Sequence, residues 1–213
     1  MLKLDIMSDP ICPWCFIGKV NLDRALEAHA PPPVSIEWHP FQLNPGMPRE
    51  GMDRRAYLER KFGGKAGALD VYSQIDQTAR LVGIEIDFER ITRTPNTMNA
   101  HRLIHWAGIE GRQTFMVDLL FRAFFLEGMD IGDIDALVKI AQRAEMDPTM
   151  VRRLLAGETD TEDLQAREEH ARKMGVNSVP TFILANQAVV TGAQSTQFWE
   201  DVLSDIAAQQ DEE

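Results

Sequence analysis

The tightest constraint on this chain lies in its first forty residues. Leu2 to Ser8 and Val34 to His39 both read as short strands, the second alternating apolar and polar side chains. Between them Phe16, Ile17, Val20, Leu22, Ala25 and Leu26 recur at helical spacing, and Pro31-Pro32-Pro33 stops that helix near Ala30. A strand–helix–strand unit this compact is a βαβ unit with parallel strands. The only two cysteines of the chain stand at its first turn, as Cys12-Pro13-Trp14-Cys15.

That turn dictates their chemistry. Proline is favoured at the first helical position, which places Cys12 at the N-cap and Pro13 just inside. The spacing predicts Cys12 exposed at the helix tip and Cys15, one turn later, facing inward. Unpaired N–H groups and the positive end of the helix dipole favour a thiolate there. One thiol can then attack an outside disulfide while the other waits to resolve the mixed species, with Pro13 and Trp14 tuning the pair. The bland readings are half a zinc site or a structural disulfide. A zinc site wants four ligands, and the chain offers neither a second C-x-x-C nor an H-E-x-x-H arrangement.

After the loop Asn44-Pro45-Gly46-Met47-Pro48 the pattern turns helical for over a hundred residues. Segments near 53–62, 66–82, 97–108, 112–127, 133–145 and 148–156 read as helices. Asp53, Thr97, Asp133 and Asp147-Pro148 supply start signals, and Gly83, Gly108, Gly111 and Gly128 supply stops or turns. Another helix spans 159–174, started by Asp160 or Thr161 and stopped by Gly175. Thr181 to Leu184 and Ala188 to Val190 read as a hairpin turning at Asn186-Gln187. An amphipathic helix over 195–208 turns Phe198, Trp199, Val202, Leu203 and Ile206 inward. The order is β-α-β, helical block, α-β-β-α, an α/β chain. Residues 1–48 and 158–213 would form one domain, with 49–157 inserted as a helical domain.

Composition excludes several function classes. The formal net charge is −11, which argues against nucleic acid, because phosphate contacts need clustered Lys and Arg. The one basic stretch, Arg49, Arg54, Arg55, Arg60, Lys61 and Lys65, reads as a solvated helix face ahead of an anion site. No run of about 18 apolar residues exists to span a membrane. The first residues lack a basic segment followed by an apolar one, so the expected address is cytoplasmic. Gln209-Gln210-Asp211-Glu212-Glu213 reads as a frayed tail. Other candidates each have a quieter reading. His39 ends the second strand, where it could approach the cysteines or satisfy an edge. His101 and His105 share a helix face, as ligands or as packing against Trp106. Asp130, Asp133 and Asp135 lack calcium-loop spacing and fit helix caps. Phe115, Met116, Leu119, Leu120, Phe124 and Phe125 read as core, part of which could line a groove over Cys12. Gln194 could contact a ligand or start the last helix.

Taken together, these motifs resemble the DsbA-like thioredoxin-fold oxidoreductases: the redox tetrad after a strand, the helical block, and Val179-Pro180-Thr181 before a hairpin. More narrowly, Ser8-Asp9-Pro10-Ile11-Cys12-Pro13-Trp14-Cys15-Phe16-Ile17-Gly18, Pro95-Asn96-Thr97 with Ala100-His101-Arg102, and Gly192-Ala193-Gln194 are similar to the FrnE-like branch. That branch is described as polyketide-biosynthesis-type dithiol–disulfide isomerases. The resemblance implies a thioredoxin fold with a large helical insertion and a thiol–disulfide oxidoreductase or isomerase. It implies that Cys12 is the nucleophile and Cys15 the resolving thiol. It also implies that Pro180 is cis beside them and that the Val179 backbone pairs with substrate. The partner would be a disulfide- or thiol-bearing protein or small molecule. No metal or other cofactor is required, and glutathione is a candidate thiol partner. DsbA carries histidine where Trp14 stands, so its strong oxidising power does not carry over.

Two other readings share the scaffold. A glutathione-dependent isomerase or transferase, similar to 2-hydroxychromene-2-carboxylate isomerases and kappa-class transferases, would place Ser at position 12 and lack Cys15. A non-enzymatic client-binding protein would work through its acidic surface.

Overall fold

The computed structural model describes residues 2–29 and 32–211, with side chains through residue 208. Met1, Ala30, Pro31, Glu212 and Glu213 lie outside that range, so the helix end expected near Ala30 falls outside the described residues. The opening unit forms as its pattern dictates: β1 (Leu2–Ser8), α1 (Pro13–Ala28) and β2 (Val34–Pro40), with β1 and β2 parallel and Leu2 opposite Val34. The helical block follows: α2 (Arg54–Phe62), α3 (Lys65–Leu81), α4 (Met98–Ile109), α5 (Gln113–Phe125), α6 (Ile134–Arg143) and α7 (Pro148–Ala156). Two short strands unmarked in the sequence, β3 (Met52–Asp53) and β4 (Arg93–Thr94), pair antiparallel and pin the ends of the α2–α3 arm. The chain closes with α8 (Thr161–Lys173), β5 (Thr181–Leu184), β6 (Ala188–Thr191) and α9 (Thr196–Asp211). The four-stranded sheet runs β2-β1-β5-β6. None of the described helices is long and apolar enough to cross a membrane.

Successive strand side chains alternate between faces, so Leu4 and Ile6 share a face with Trp38 and Phe182, their cross-strand partners or neighbours. Phe182 meets Trp199 of α9 at 4.7 Å. On the same side α1 packs against α9 and α5, and Phe16 stacks on Phe121 and Phe125 at 5.2 and 5.8 Å. One buried apolar cluster runs from β1 through α5 and α6 to α9. The aromatic run of α5 is therefore core, and only Phe115 stands out, half-exposed at 51%. It borders a cleft beside β2, so the expectation of an aromatic groove over Cys12 does not hold. The opposite sheet face carries Lys3, Asp5, Glu37 and His39 and is covered at one side by α8.

Most caps follow the sequence, and the exceptions have physical causes. Asp53, Asp133 and Asp147 accept from backbone N–H groups at the starts of α2, α6 and α7. Thr97 makes no cap bond for α4, because its hydroxyl is drawn to Gln42 and Asp9. Asp160 sits at the N-cap of α8 in a left-handed conformation, and its carboxylate accepts instead from the Trp106 indole at 2.7 Å. Gly108 lies inside α4 rather than ending it. The hairpin turns one residue earlier than the sequence suggests: Ala185 and Asn186 both have positive φ, and Gln187 N–H closes on the Leu184 carbonyl. Two central residues at positive φ match the twist of the flanking strands. Helix α9 continues through Asp211, so the expected frayed tail is helical at least that far. Asp130 receives the Gly132 N–H, and Asp135 pairs with Arg152. Arg54 departs from a plain solvated face: it bonds the Thr94 hydroxyl and stands over Tyr57, Tyr72 and Phe124.

Candidate active site

Cys12 is the N-cap of α1, with extended backbone angles, and Pro13 follows at the first helical position. The Cys15 and Phe16 N–H groups both close on the Cys12 carbonyl. Both cysteines are free thiols. Cys15 faces inward as expected. Cys12 does not stand exposed: only 3% of its surface is open, because its thiol turns to the Val179 carbonyl at 3.6 Å and the loop before β5 lies over it. Burial pushes the Cys15 thiol well above its ordinary value. The neighbouring Cys12 adds to that rise, while the Ser8 hydroxyl and Asp9 N–H partly oppose it.

The Val179–Pro180 peptide bond is cis. Pro180 is buried, and its carbonyl accepts from Gly192 N–H at 2.8 Å. Glycine at position 18 lets helix α1 approach this loop closely. A Cβ there would meet Pro180 Cγ at 3.3 Å and the Ala193 Cα at 3.4 Å. Asn21, one turn on, donates to the Gln194 carbonyl at 2.7 Å. Gln194 does not start α9, which begins at Thr196; its backbone ties the hairpin to α1, and its side-chain amide donates to the Thr191 carbonyl. Trp14 is half-buried beside the pair.

Beneath the thiols lies a polar floor that reading the sequence residue by residue missed. Asp9 is fully buried; its carboxylate accepts from Leu43 N–H at 2.7 Å and Ile11 N–H at 3.3 Å, while its carbonyl receives Cys12 N–H at 2.9 Å. Burial pushes this carboxyl up to about 7, against the lowering effect of those N–H groups and the Thr97 hydroxyl. Glu168 of α8 accepts from Gln42 N–H and pairs with Arg172, which stacks over Phe41 at 4.0 Å. His101 of α4 is 3% exposed, and burial lowers its imidazole to about 3. The signal for this floor lies in the segments 8–18, 95–97 and 100–102, which carry Asp9, Thr97 and His101. No periodicity argument could say that they meet.

The remaining candidates fall elsewhere. His39 is satisfied by Asp5 at 2.5 Å. His105 borders the cleft beside β2 with His101, and among the described residues neither belongs to a group of three ligand-type side chains. Among the described residues Asp5, Glu37 and His39 alone bring three ligand-type atoms together. Lys3 occupies that spot, with its ammonium 2.8 Å from Asp5 and 2.6 Å from Glu37.

A four-stranded sheet, a C-x-x-C at the start of the first helix and an X-Pro loop facing it define a thioredoxin-fold protein. The comparisons with known proteins narrow this. The DSBA-like thioredoxin domain matches residues 3–204, so the chain belongs to that family. The uncharacterized protein YwbO of Bacillus subtilis is 29% identical over 205 residues, 96% of each chain. The probable DsbA oxidoreductase SCO1869 of Streptomyces coelicolor is 28% identical with a TM-score of 0.85, covering 98% of this chain and 91% of that one. Two more distant structures share the fold. A 2-hydroxychromene-2-carboxylate isomerase is 17% identical with TM-score 0.75, covering 99% and 98%. The cytosolic disulfide reductase DsbM of Pseudomonas aeruginosa with GSH is 17% identical with TM-score 0.69, covering 96% and 98%.

Proposed function

We propose that this protein is a thiol–disulfide oxidoreductase or isomerase working through Cys12 and Cys15. The observation that carries the reading is the pair of free thiols at the α1 N-terminus, with the Val179 carbonyl set against Cys12. In the reducing direction the Cys12 thiolate attacks a substrate disulfide, forming a Cys12–substrate bond and expelling one substrate thiolate. Cys15 then loses its proton and attacks Cys12, expelling the second thiolate and closing the Cys12–Cys15 disulfide. The reverse sequence oxidises a dithiol substrate. Atoms and electrons balance between the two sulfur pairs, so the cycle requires no metal or organic cofactor. Pro13 and Trp14 tune the pair, and the Val179–Pro180 loop receives the substrate chain.

Protein disulfides and small disulfides both qualify as substrates, with glutathione as small-thiol partner; the shared fold of the GSH-bearing reductase supports this. A cytoplasmic setting belongs to the same proposal, on the same likeness. The segments from Ser8 to Gly18, Pro95 to Thr97 and Gly192 to Gln194 support a place in the FrnE-like branch. Residues 49–157 are taken as the inserted helical unit, since α2 to α7 all fall between β2 and α8.

The test is to incubate Cys15→Ala protein with cell extract and isolate mixed disulfides. Adducts on Cys12, released by reductant, are expected. No adducts, with a metal co-purifying with the wild type, would overturn the reading. Glutathione conjugation surviving Cys15→Ala without any disulfide exchange would point to the isomerase or transferase chemistry. Client protection that survives loss of both cysteines would point to a binding protein.

A further inference from the structure

Asn21 is out of place by the rules that build α1. Asparagine is a poor helix former, and a buried amide is destabilising unless its hydrogen bonds are met. Asn21 nonetheless sits inside α1 with 6% of its surface open. Its amide donates to the Gln194 carbonyl at 2.7 Å, and its Oδ1 accepts from the Thr196 hydroxyl at 3.2 Å. Both partners belong to the strap that joins β6 to α9, residues 192–196. Among the described residues these are the only hydrogen bonds between that strap and α1.

The helix lines this amide up with the thiols. Cys12, Cys15, Gly18 and Asn21 stand three residues apart, the spacing of one slanting row on a helix. The loop and the strap run along that row. Val179 meets Cys12, Pro180 and Ala193 close on Gly18, and Gln194 and Thr196 meet Asn21. Gly192 N–H donates to the Pro180 carbonyl at 2.8 Å and joins strap to loop. Cys12 is 3% exposed under this loop, so no substrate sulfur reaches it while the loop is down. Thr181, next along, is fixed in the sheet opposite Met7 and Thr191. The loop therefore rises only if Pro180 leaves Gly18, and Gly192 carries the strap with it. Asn21 holds the far end of that strap.

We propose that Asn21 is a positioning residue that clamps the Val179–Pro180 loop over Cys12 and so sets how readily a substrate disulfide reaches that sulfur. It touches no reacting atom and acts alike on the dithiol and disulfide forms. It changes the rates of exchange in both directions together and leaves the equilibrium with glutathione where it is. The inference rests on the dithiol reading above.

Iodoacetamide labelling of the reduced protein, read at each cysteine by fragment mass, tests the clamp. Asn21→Ala is expected to raise the early labelling rate of Cys12 by roughly 2- to 10-fold, the worth of a side-chain hydrogen bond in an opening equilibrium. Cys15 should stay unlabelled. An anchor that served only the fold would expose both sulfurs together. Equal acceleration at Cys12 and Cys15, or wild-type labelling of a folded Asn21→Ala, therefore overturns the proposal. Should Asn21→Ala not fold, Thr196→Val decides, since it removes one of the two bonds. Cys12 alone should then label faster, by a smaller factor, and wild-type labelling contradicts the clamp. Oxidised glutathione separates this inference from the reading beneath it. Exchange at Cys12 should accelerate by the same factor as labelling, with the final ratio of dithiol to disulfide unmoved. A shifted ratio, or wild-type exchange in a variant that labels faster, sinks the clamp. If labelling responds while neither variant nor wild type exchanges with glutathione, the dithiol reading fails and the clamp on Cys12 stands.

Discussion

Two aspartate–histidine pairs hang from the first strand and its exit loop, and they are built in opposite ways. Asp5 and His39 meet at 2.5 Å on the sheet face toward α8, with Lys3 bridging Asp5 and Glu37. Burial pushes Asp5 up, but Lys3 and His39 together outweigh it and hold the carboxylate below its ordinary range. Asp9 and His101 stand 4.0 Å apart in the interior with no cation between them, and burial drives both toward their neutral forms. The same residue types four positions along one segment thus give a carboxylate held ionised beside Lys3 in one place and a neutral pair in the other. Counter-charge and access to water decide the outcome, not residue identity. The neutral pair is the one beneath the thiols, where a second negative charge would oppose a thiolate.

The sharpest way to break this contrast is stability against pH. Burial raises Asp9, so the stability given by its protonated form is whole below its ordinary value of 3.8 and is lost as pH climbs to about 7. Burial lowers His101, so stability is whole above 6.5 and is lost as pH falls toward about 3. Between those ordinary values the two slopes oppose and nearly cancel. Asp9→Asn removes one of them: relative to wild type, its unfolding free energy should rise with pH by about 1.4 kcal/mol per unit across that window. His101→Leu should show the opposite relative slope, falling as pH rises. Denaturant unfolding at several pH values reads both, and parallel curves for all three proteins would show that the pair does not titrate as described.

A smaller effect is expected at the Asp5–His39 pair, whose partner Lys3 reaches solvent. Lys3→Ala takes away a half-exposed ammonium, so the loss should be about 1 kcal/mol or less and should shrink further in salt. Asp5 should then titrate higher, since its largest cationic support is gone. A loss several times larger, insensitive to salt, would mean that this quartet is as buried in effect as Asp9 and would erase the distinction between the two pairs.

The strands and helices were legible because their patterns are local. The βαβ opening rests on period-two and helical spacing, and the caps at Asp53, Asp133 and Asp147 act within three residues of themselves. The thiol positions were legible for the same reason, since Pro13 fixes the helix start. The burial of Cys12 was not, because the lid that covers it is Val179, 167 residues away. Thr97 misled as a cap because Asp9 and Gln42 compete for its hydroxyl. Gly18 carried a sign that only the fold explains: a helix interior accepts the loss of a side chain where Pro180 and Ala193 must approach. The Asp9–His101 meeting joins the loop after β1 to the helical block across a sequence gap that no spacing rule bridges.

The central claim is that Cys12 and Cys15 cycle between dithiol and disulfide. Its most direct test equilibrates the wild-type protein, without oxygen, in graded mixtures of reduced and oxidised glutathione, then quenches with acid and determines the thiol state by mass. The predicted result is a reversible loss of two hydrogens on the peptide from Cys12 to Cys15, following the glutathione ratio as one two-electron transition. Oxidation that stops at a single glutathione adduct on Cys12, or thiols that stay reduced while the protein takes up zinc, would contradict it.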